Sequence, residues 1–439
     1  MKVSFVTDYF PDVHDKWFGA EMACKRLFEL LSGGYEPPRY RGYEPRRDGG
    51  SADITVYTSK VHRKGKAPGY IKEVPILEDG LKQAGFSLKT AFPFDPIAYR
   101  YFSRAFMKER PDIVHLHNIK YMSFAPAVAA RGLGIPVVFS VYDNWSLCPK
   151  YTLLDKGNNI CRDFHGLRCL KCVPAKKKPF VLFRKRIFDY FLGMVDAFAV
   201  LTESEKSNFI KAGIAPEKIN ILPLPLSPRL AGAEVEEAAV ERNTLLFVGR
   251  IEFGKGLHVL VDAMPHVLER FGGARVVVAG EHSGNETYKR RVMKQIEGLG
   301  LGHVFKFVGK KGNEEVMELL RRAHIAVVPE QWAIAWPIFL TEAMAMGKVI
   351  VASRIGDIPS FIEHGKTGYL TDPKDPEDLA RWLNHALGEG RLLNRECPGK
   401  VRSICDAARV RRETLRIYGK VAGGPRAHWG FLKGGEAVR

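Results

Sequence analysis

The 439-residue sequence contains no uncharged apolar run of the about 18–20 residues that a membrane-spanning helix needs. The stretch from Ile187 to Leu201 is interrupted by Asp189 and Asp196. The N-terminal MKVSFVTDYF offers only a short apolar stretch, broken by Asp8, and so does not read as a secretory leader. An intracellular, cytoplasmic protein is therefore expected. Acidic side chains are in deficit, with 49 Asp and Glu against 67 Lys and Arg, a formal charge of +18. That excess suits an anionic partner, whether nucleotide phosphates, a phospholipid surface or nucleic acid, and does not choose among them. No Gly-x-Gly-x-x-Gly follows the first strand, which argues against a nicotinamide dinucleotide.

What is present is the composition of a soluble globular protein, 46% hydrophobic and 26% charged, in a chain too long for one core. Strands are predicted at 3–7, 54–58, 113–117, 136–141, 197–201 and 219–222, separated by helices at 19–31, 125–131 and 203–212. Such alternation implies a parallel sheet. Pro223, Pro225 and Pro228 and an Ala/Glu-rich stretch then read as a linker. The alternation resumes from 245 and runs to about 387. The expected organisation is a first domain over 1–225, with an inserted basic loop at 32–51 and a cysteine-rich segment at 142–178. A linker at 226–243, a second domain over 244–390, and a basic helix and tail over 391–439 follow.

The stretch LLFVGRIEFGKG, Leu245–Gly256, organises the second half. Leu245 to Val248 make a short apolar run suited to a buried parallel strand, and Gly249 ends it. Leu257, Leu260, Val261, Met264, Val267 and Leu268 then fall on one helical face. Arg250 and Lys255 thus sit on a strand–turn–helix junction at the carboxyl edge of a sheet, where ligands of open α/β sheets bind. Arg can bridge two phosphate oxygens, and Lys acts as a point charge. A surface loop with two solvated cations is the plainer alternative.

Four of the seven cysteines, Cys148, Cys161, Cys169 and Cys172, fall in the irregular segment. Their spacing admits a structural zinc, disulfides or free thiols, and a structural staple is favoured over a functional site. From Lys176 to Phe188 cations and large apolar groups interleave, as in interfacial helices, or as in a surface helix with its apolar face on the core. His115 and His117 are expected to alternate about their strand, so that only one faces a ligand. Glu21 is expected to support the start of its own helix.

The ordered set Gly19-Ala20-Glu21, Pro111–His117, Val248-Gly249-Arg250 with Lys255-Gly256, Val308-Gly309 and Thr341–Gly347 resembles the family 4 glycosyltransferases of GT-B fold. The match runs from about residue 1 to 385. The segment from Tyr142 to Cys172 resembles one found in a subset of that family. The resemblance implies two Rossmann-like domains facing across a cleft and a retaining, metal-independent transfer of a sugar from a nucleotide diphosphate, UDP- or GDP-linked, to a glycan or lipid-linked acceptor. Arg250 and Lys255 match the cations holding the donor diphosphate, with the Ile338 and Phe339 amides adding to them. Glu342 matches the glutamate that takes the ribose hydroxyls. Gly19 matches the glycine that lets the donor phosphate approach.

Two positions depart from the family. Ile334 stands where a glutamate touches the sugar, and Tyr142, followed by Asp143, stands where a histidine often ends the strand. Both changes fall near the transferred sugar, so nucleotide binding is better supported than catalysis. Three functions are weighed: a glycosyltransferase held by charge at an anionic membrane surface, a nucleotide-sugar or glycan-binding protein with impaired catalysis, and a basic zinc-containing nucleic-acid binder. The first explains the most residues, and nucleic acid is not expected as a partner.

Overall fold

The computed structural model describes residues 1–14, 19–34, 51–60, 67–77, 93–157, 159–161, 167–175, 178–232, 236–281 and 286–423. Most of the inserted loop expected at 32–51, Lys176 and Lys177, and the tail after 423 lie outside the described residues. Two compact units are present. Among the described residues, 1–225 and those from 407 onward form the first, and 226–406 form the second.

The first unit is built on seven parallel strands: β1 (Lys2–Thr7), β2 (Asp53–Ser59), β3 (Ile71–Val74), β4 (Ile113–Leu116), β5 (Val137–Ser140), β6 (Ala197–Val200) and β7 (Ile219–Ile221), in the order β3-β2-β1-β4-β5-β6-β7. β4, β5 and β6 are buried at every position, as expected of strands covered by helices on both faces. The covering helices include α1 (Gly19–Ser32), α2 (Pro96–Glu109), α3 (Ala125–Gly132), α4 (Lys178–Leu192) and α5 (Glu203–Lys211). α2 and β3 have no counterpart in the sequence reading, although α2 carries clear start signals. Asp95 accepts from the amides of Ile97 and Ala98, and Pro96 opens the first turn. α2 packs Phe102 and Phe106 against Tyr57.

α4 fits both readings of its sequence. Val181, Phe188, Phe191 and Leu192 are buried, whereas Leu182 and Phe183 are 53% and 62% exposed beside the exposed cations Lys178, Lys185 and Arg186. The 3-10 turn Leu167–Lys171 packs on α4 and leaves Leu167 exposed. None of the seven cysteines is in a disulfide. Among the described residues, no group of three or more His, Cys, Asp or Glu is gathered to hold a metal. Arg184 of α4 holds the start of the segment: it is buried, lies 3.7 Å from the Phe188 ring centroid and donates to the carbonyls of Trp145 and Ser146. Burial pulls its guanidinium down to about 10.

The second unit holds six parallel strands: β8 (Glu241–Val248), β9 (Arg275–Ala279), β10 (Phe305–Gly309), β11 (Ala323–Val328), β12 (Val349–Ser353) and β13 (Tyr369–Thr371), in the order β10-β9-β8-β11-β12-β13. Its helices include α6 (Leu257–Leu268), α7 (Glu286–Gly298), α8 (Asn313–Arg322), α9 (Ile338–Ala345) and α10 (Pro376–Gly388). β8 begins inside the stretch read as linker, because Glu241 is held there by Arg275 and Arg322.

The single terminal helix expected from Val401 to Tyr418 is two, α11 (Cys397–Ile404) and α12 (Ala407–Ala422), interrupted at Cys405 and Asp406. α12 belongs to the first unit and packs on α1, with Lys420 donating to the carbonyl of Glu217. Its Tyr418 hydroxyl is 2.6 Å from His115 Nδ1, in the middle of the first sheet.

Candidate functional site

In the second unit the strand order reverses between β8 and β11, the switch point at which crevices form beyond the carboxyl ends of an open sheet. After Val248 the chain passes Gly249 and Arg250 into a 3-10 turn, Phe253–Lys255, and Gly256 at φ +73° starts α6. A Cβ on Gly256 would lie 1.7 Å from the carbonyl oxygen of Pro329, just beyond β11. The glycine therefore does more than supply the turn: it lets the loops after β8 and β11 meet backbone to backbone. The Gln331 amide donates to the Gly254 carbonyl at 2.7 Å, and the Trp332 ring packs so close to Gly254 that a Cβ there would be 3.2 Å from it.

This contact sets Lys255 beside Glu330. Lys255 Nζ is 2.5 Å from Glu330 Oε1, and the other carboxylate oxygen accepts from the Trp332 indole N–H at 2.6 Å. Glu330 is buried, and burial raises its carboxyl above the usual range, opposed by Lys255 and Trp332. Arg250, in the same turn, pairs with Glu252 at 2.8 Å. A small pocket opens here, lined by Lys255, Glu330, the ends of β8 and β11, and Pro337, Ile338 and Phe339 at the start of α9. The first amides of a helix lack intrahelical acceptors and carry its positive dipole end. A cation and a helix N-terminus thus converge on one cavity, an arrangement suited to an anion.

Of the residues singled out in the sequence, Lys255, Ile338 and Phe339 line this pocket. Arg250 belongs to the same turn, and Glu342 is half-buried further along α9. Neither is among the lining residues, nor is Ile334. The Ile334 carbonyl accepts from Asp357 at 3.0 Å, and its backbone packs on Gly356. Sequence reasoning missed Glu330 and Trp332. A carboxylate directly past the strand beside β8 was the available signal.

The first unit carries a second, shallow pocket beyond β4 and β5. Tyr142 and Asp143 line it with His117, Asn118, Lys120 and Ser146. Asp143 pairs with Lys120 and accepts from the Trp145 amide at 2.8 Å. The Tyr142 hydroxyl is 3.0 Å from His117 Nδ1. His117 Nε2 is buried with no hydrogen-bond partner among the described residues. The alternation expected of His115 and His117 is incorrect: residues two apart on a strand share a face, and the two rings lie 4.2 Å apart. Burial holds both imidazoles neutral, His115 down to about 3. Nearby, Asp8 is fully buried at the end of β1 and accepts from the amides of Tyr121 and Met122. Burial pushes its carboxyl up to about 7. Gly19 is exposed at the start of α1. Glu21 is buried and accepts from the Asn118 side chain at 2.7 Å, so it ties α1 to the loop after β4 as well as standing in its own first turn.

Two parallel α/β units, each with a pocket at the carboxyl edge of its sheet, make a two-domain protein of GT-B fold. Residues 53–229 match the family model described as Glycosyltransferase Family 4, and residues 233–396 match Glycosyl transferases group 1. The chain belongs to the family 4 glycosyltransferases. It is 31% identical over 149 residues to an uncharacterized glycosyltransferase of Methanocaldococcus jannaschii, covering 34% of this chain and 37% of that one. It is 30% identical over 146 residues to a D-inositol 3-phosphate glycosyltransferase of Corynebacterium urealyticum, covering 33% and 34%. These alignments span little more than a third of either relative. Among solved structures, Anabaena HepE in complex with UDP superposes with a TM-score of 0.67 at 16% identity, covering 96% of this chain and all of that one. Sucrose-phosphate synthase from Thermosynechococcus elongatus gives 0.68 at 16% identity, covering 95% and 98%.

The Lys255–Glu330 pair makes a stability prediction. Lys255→Met strips a buried carboxylate of its cation and is expected to lower the unfolding free energy of the second unit by about 3 kcal/mol. Adding Glu330→Gln should restore most of that loss, giving strong coupling in a double-mutant cycle by urea denaturation. Additive single effects would show that the two groups do not interact.

Proposed function

We propose that this protein transfers a sugar from a nucleoside diphosphate donor, UDP- or GDP-linked, to a glycan or lipid-linked acceptor with retention of configuration. The observation that carries the reading is the meeting of Lys255 with the first turn of α9 in one pocket at the switch point of the second sheet. Negative charge builds on the β-phosphate as the sugar–phosphate bond breaks. Fixed cations and helix amides stabilise that charge without reorganising. Lys255 and Arg250 supply the cations, the Ile338 and Phe339 amides add to them, and Glu342 accepts from the ribose hydroxyls. HepE, a neighbour in fold solved with UDP and with UDP-glucose, supports this choice of donor class.

Ile334 supplies no carboxylate to the sugar, which keeps a second reading in play: a nucleotide-sugar-binding protein with little turnover. The two separate on whether a bound donor is consumed in the presence of an acceptor. For the acceptor side, Leu182, Phe183 and Leu167, exposed beside Lys178, Lys185 and Arg186, suit an anionic bilayer surface.

Thermal unfolding with UDP-, GDP- and ADP-sugars tests the donor. A bound sugar nucleotide at 100 times its dissociation constant should add about 2.7 kcal/mol of stability, and Arg250→Ala or Lys255→Ala should abolish the shift. A shift surviving both changes places the donor elsewhere. The protein should also sediment with vesicles containing anionic phospholipid and not with neutral ones, and Leu182→Ser with Phe183→Ser should weaken that binding several-fold. Equal recovery with both vesicle types would contradict a membrane-facing α4.

A further inference from the structure

The four charged groups around the turn cancel: Arg250 with Glu252, and Lys255 with Glu330. Each cation of the proposed donor turn is therefore already paired with a carboxylate, and the carboxylate that lines the pocket is buried. We propose that Glu330 is a positioning residue of the donor site, which holds Lys255 until the donor arrives and takes up one proton from solvent when a nucleoside diphosphate binds, so that donor affinity is linked to pH. This rests on the donor reading given above.

The geometry leaves few alternatives. Lys255 Nζ is 2.5 Å from Glu330 Oε1, so any phosphate oxygen that reaches the ammonium also comes within a few ångströms of the carboxylate. Away from water, like charges that close cannot both stay ionised without a large penalty. Glu330 has little room to swing aside, because its second oxygen is fixed by the indole of Trp332, itself packed on Gly254. The charged groups facing it are Lys255 and Glu252, both from the turn. β8, β11 and the first turn of α9 present only apolar side chains to the pocket. Protonation solves the conflict. The proton goes to a carboxylate oxygen and Lys255 keeps its own, so the four groups gain one positive charge. The new carboxyl O–H can then donate to a phosphate oxygen. Burial already lifts this carboxyl above its usual range, which places uptake nearer neutral pH.

The test is calorimetric titration of the full chain with UDP and with GDP from pH 6 to 9, in buffers of different ionisation enthalpy. For whichever nucleotide binds, the wild type should take up one proton more than Glu330→Gln. Its affinity should fall about tenfold more per pH unit above the carboxyl's free-state value. At pH 8 Glu330→Gln should bind more tightly by roughly tenfold or more, with a circular dichroism spectrum matching the wild type. Trp332→Phe keeps an aromatic side chain but removes the hydrogen bond that favours the ionised carboxylate, so it should move the onset of the decline to higher pH. Equal proton counts and pH slopes in the wild type and Glu330→Gln overturn the proposal, even where Lys255→Ala abolishes binding and the donor reading stands. Binding that Lys255→Ala leaves intact, or no binding of either nucleotide, overturns the donor reading and the proposal with it.

Discussion

The second unit turns on one contact, the close approach of the loop after β8 to the loop after β11. Gly256 makes it possible, since a side chain of any size there would collide with the Pro329 carbonyl. From that contact follow the Gln331–Gly254 hydrogen bond, the seat of Trp332 on Gly254, and the Lys255–Glu330 pair. The pocket at the switch point exists because two strands that are neighbours in the sheet but distant in sequence end side by side. Their loops must then pack or splay, and here they pack, around an ion pair whose carboxylate is buried and whose ammonium is half-buried.

A buried ion pair is a poor source of stability, because removing two charges from water offsets most of their attraction. Its presence beside a helix N-terminus reads more naturally as preparation for a third charge. Lys255 is fixed in place before any ligand arrives, and Glu330 supplies the counter-charge that keeps it there. The same logic runs through the first unit with different chemistry. There His115, His117 and Tyr418 are buried and neutral, and half-buried Tyr142 stands with His117 at the edge of a pocket.

Much of this was legible in the sequence because the strands of both sheets are short apolar runs closed by Gly or by polar residues. Leu245–Val248, Ile325–Val328 and Val349–Ala352 could be read as they stand, as could the Gly-Arg…Lys-Gly turn. What escaped depends on contacts between distant residues. Glu330 looks like any loop carboxylate until β11 is placed beside β8. Arg184 looks like one cation in a basic helix, yet it is the group that pins the cysteine-rich segment. The break between α11 and α12 has no proline or glycine to announce it, only Cys405 and Asp406 between two apolar periods. The relation of His115 to His117 is a matter of strand geometry and was open to correction from the start.

The central claim is that Lys255, with Arg250 and the first amides of α9, grips the diphosphate of a nucleotide-linked donor. A crystal structure with UDP bound tests it most directly. The account predicts the β-phosphate within hydrogen-bonding distance of Lys255 Nζ and of the Ile338 or Phe339 amide. A diphosphate lying away from that pocket, or held through a bridging divalent ion in place of Lys255, would contradict it.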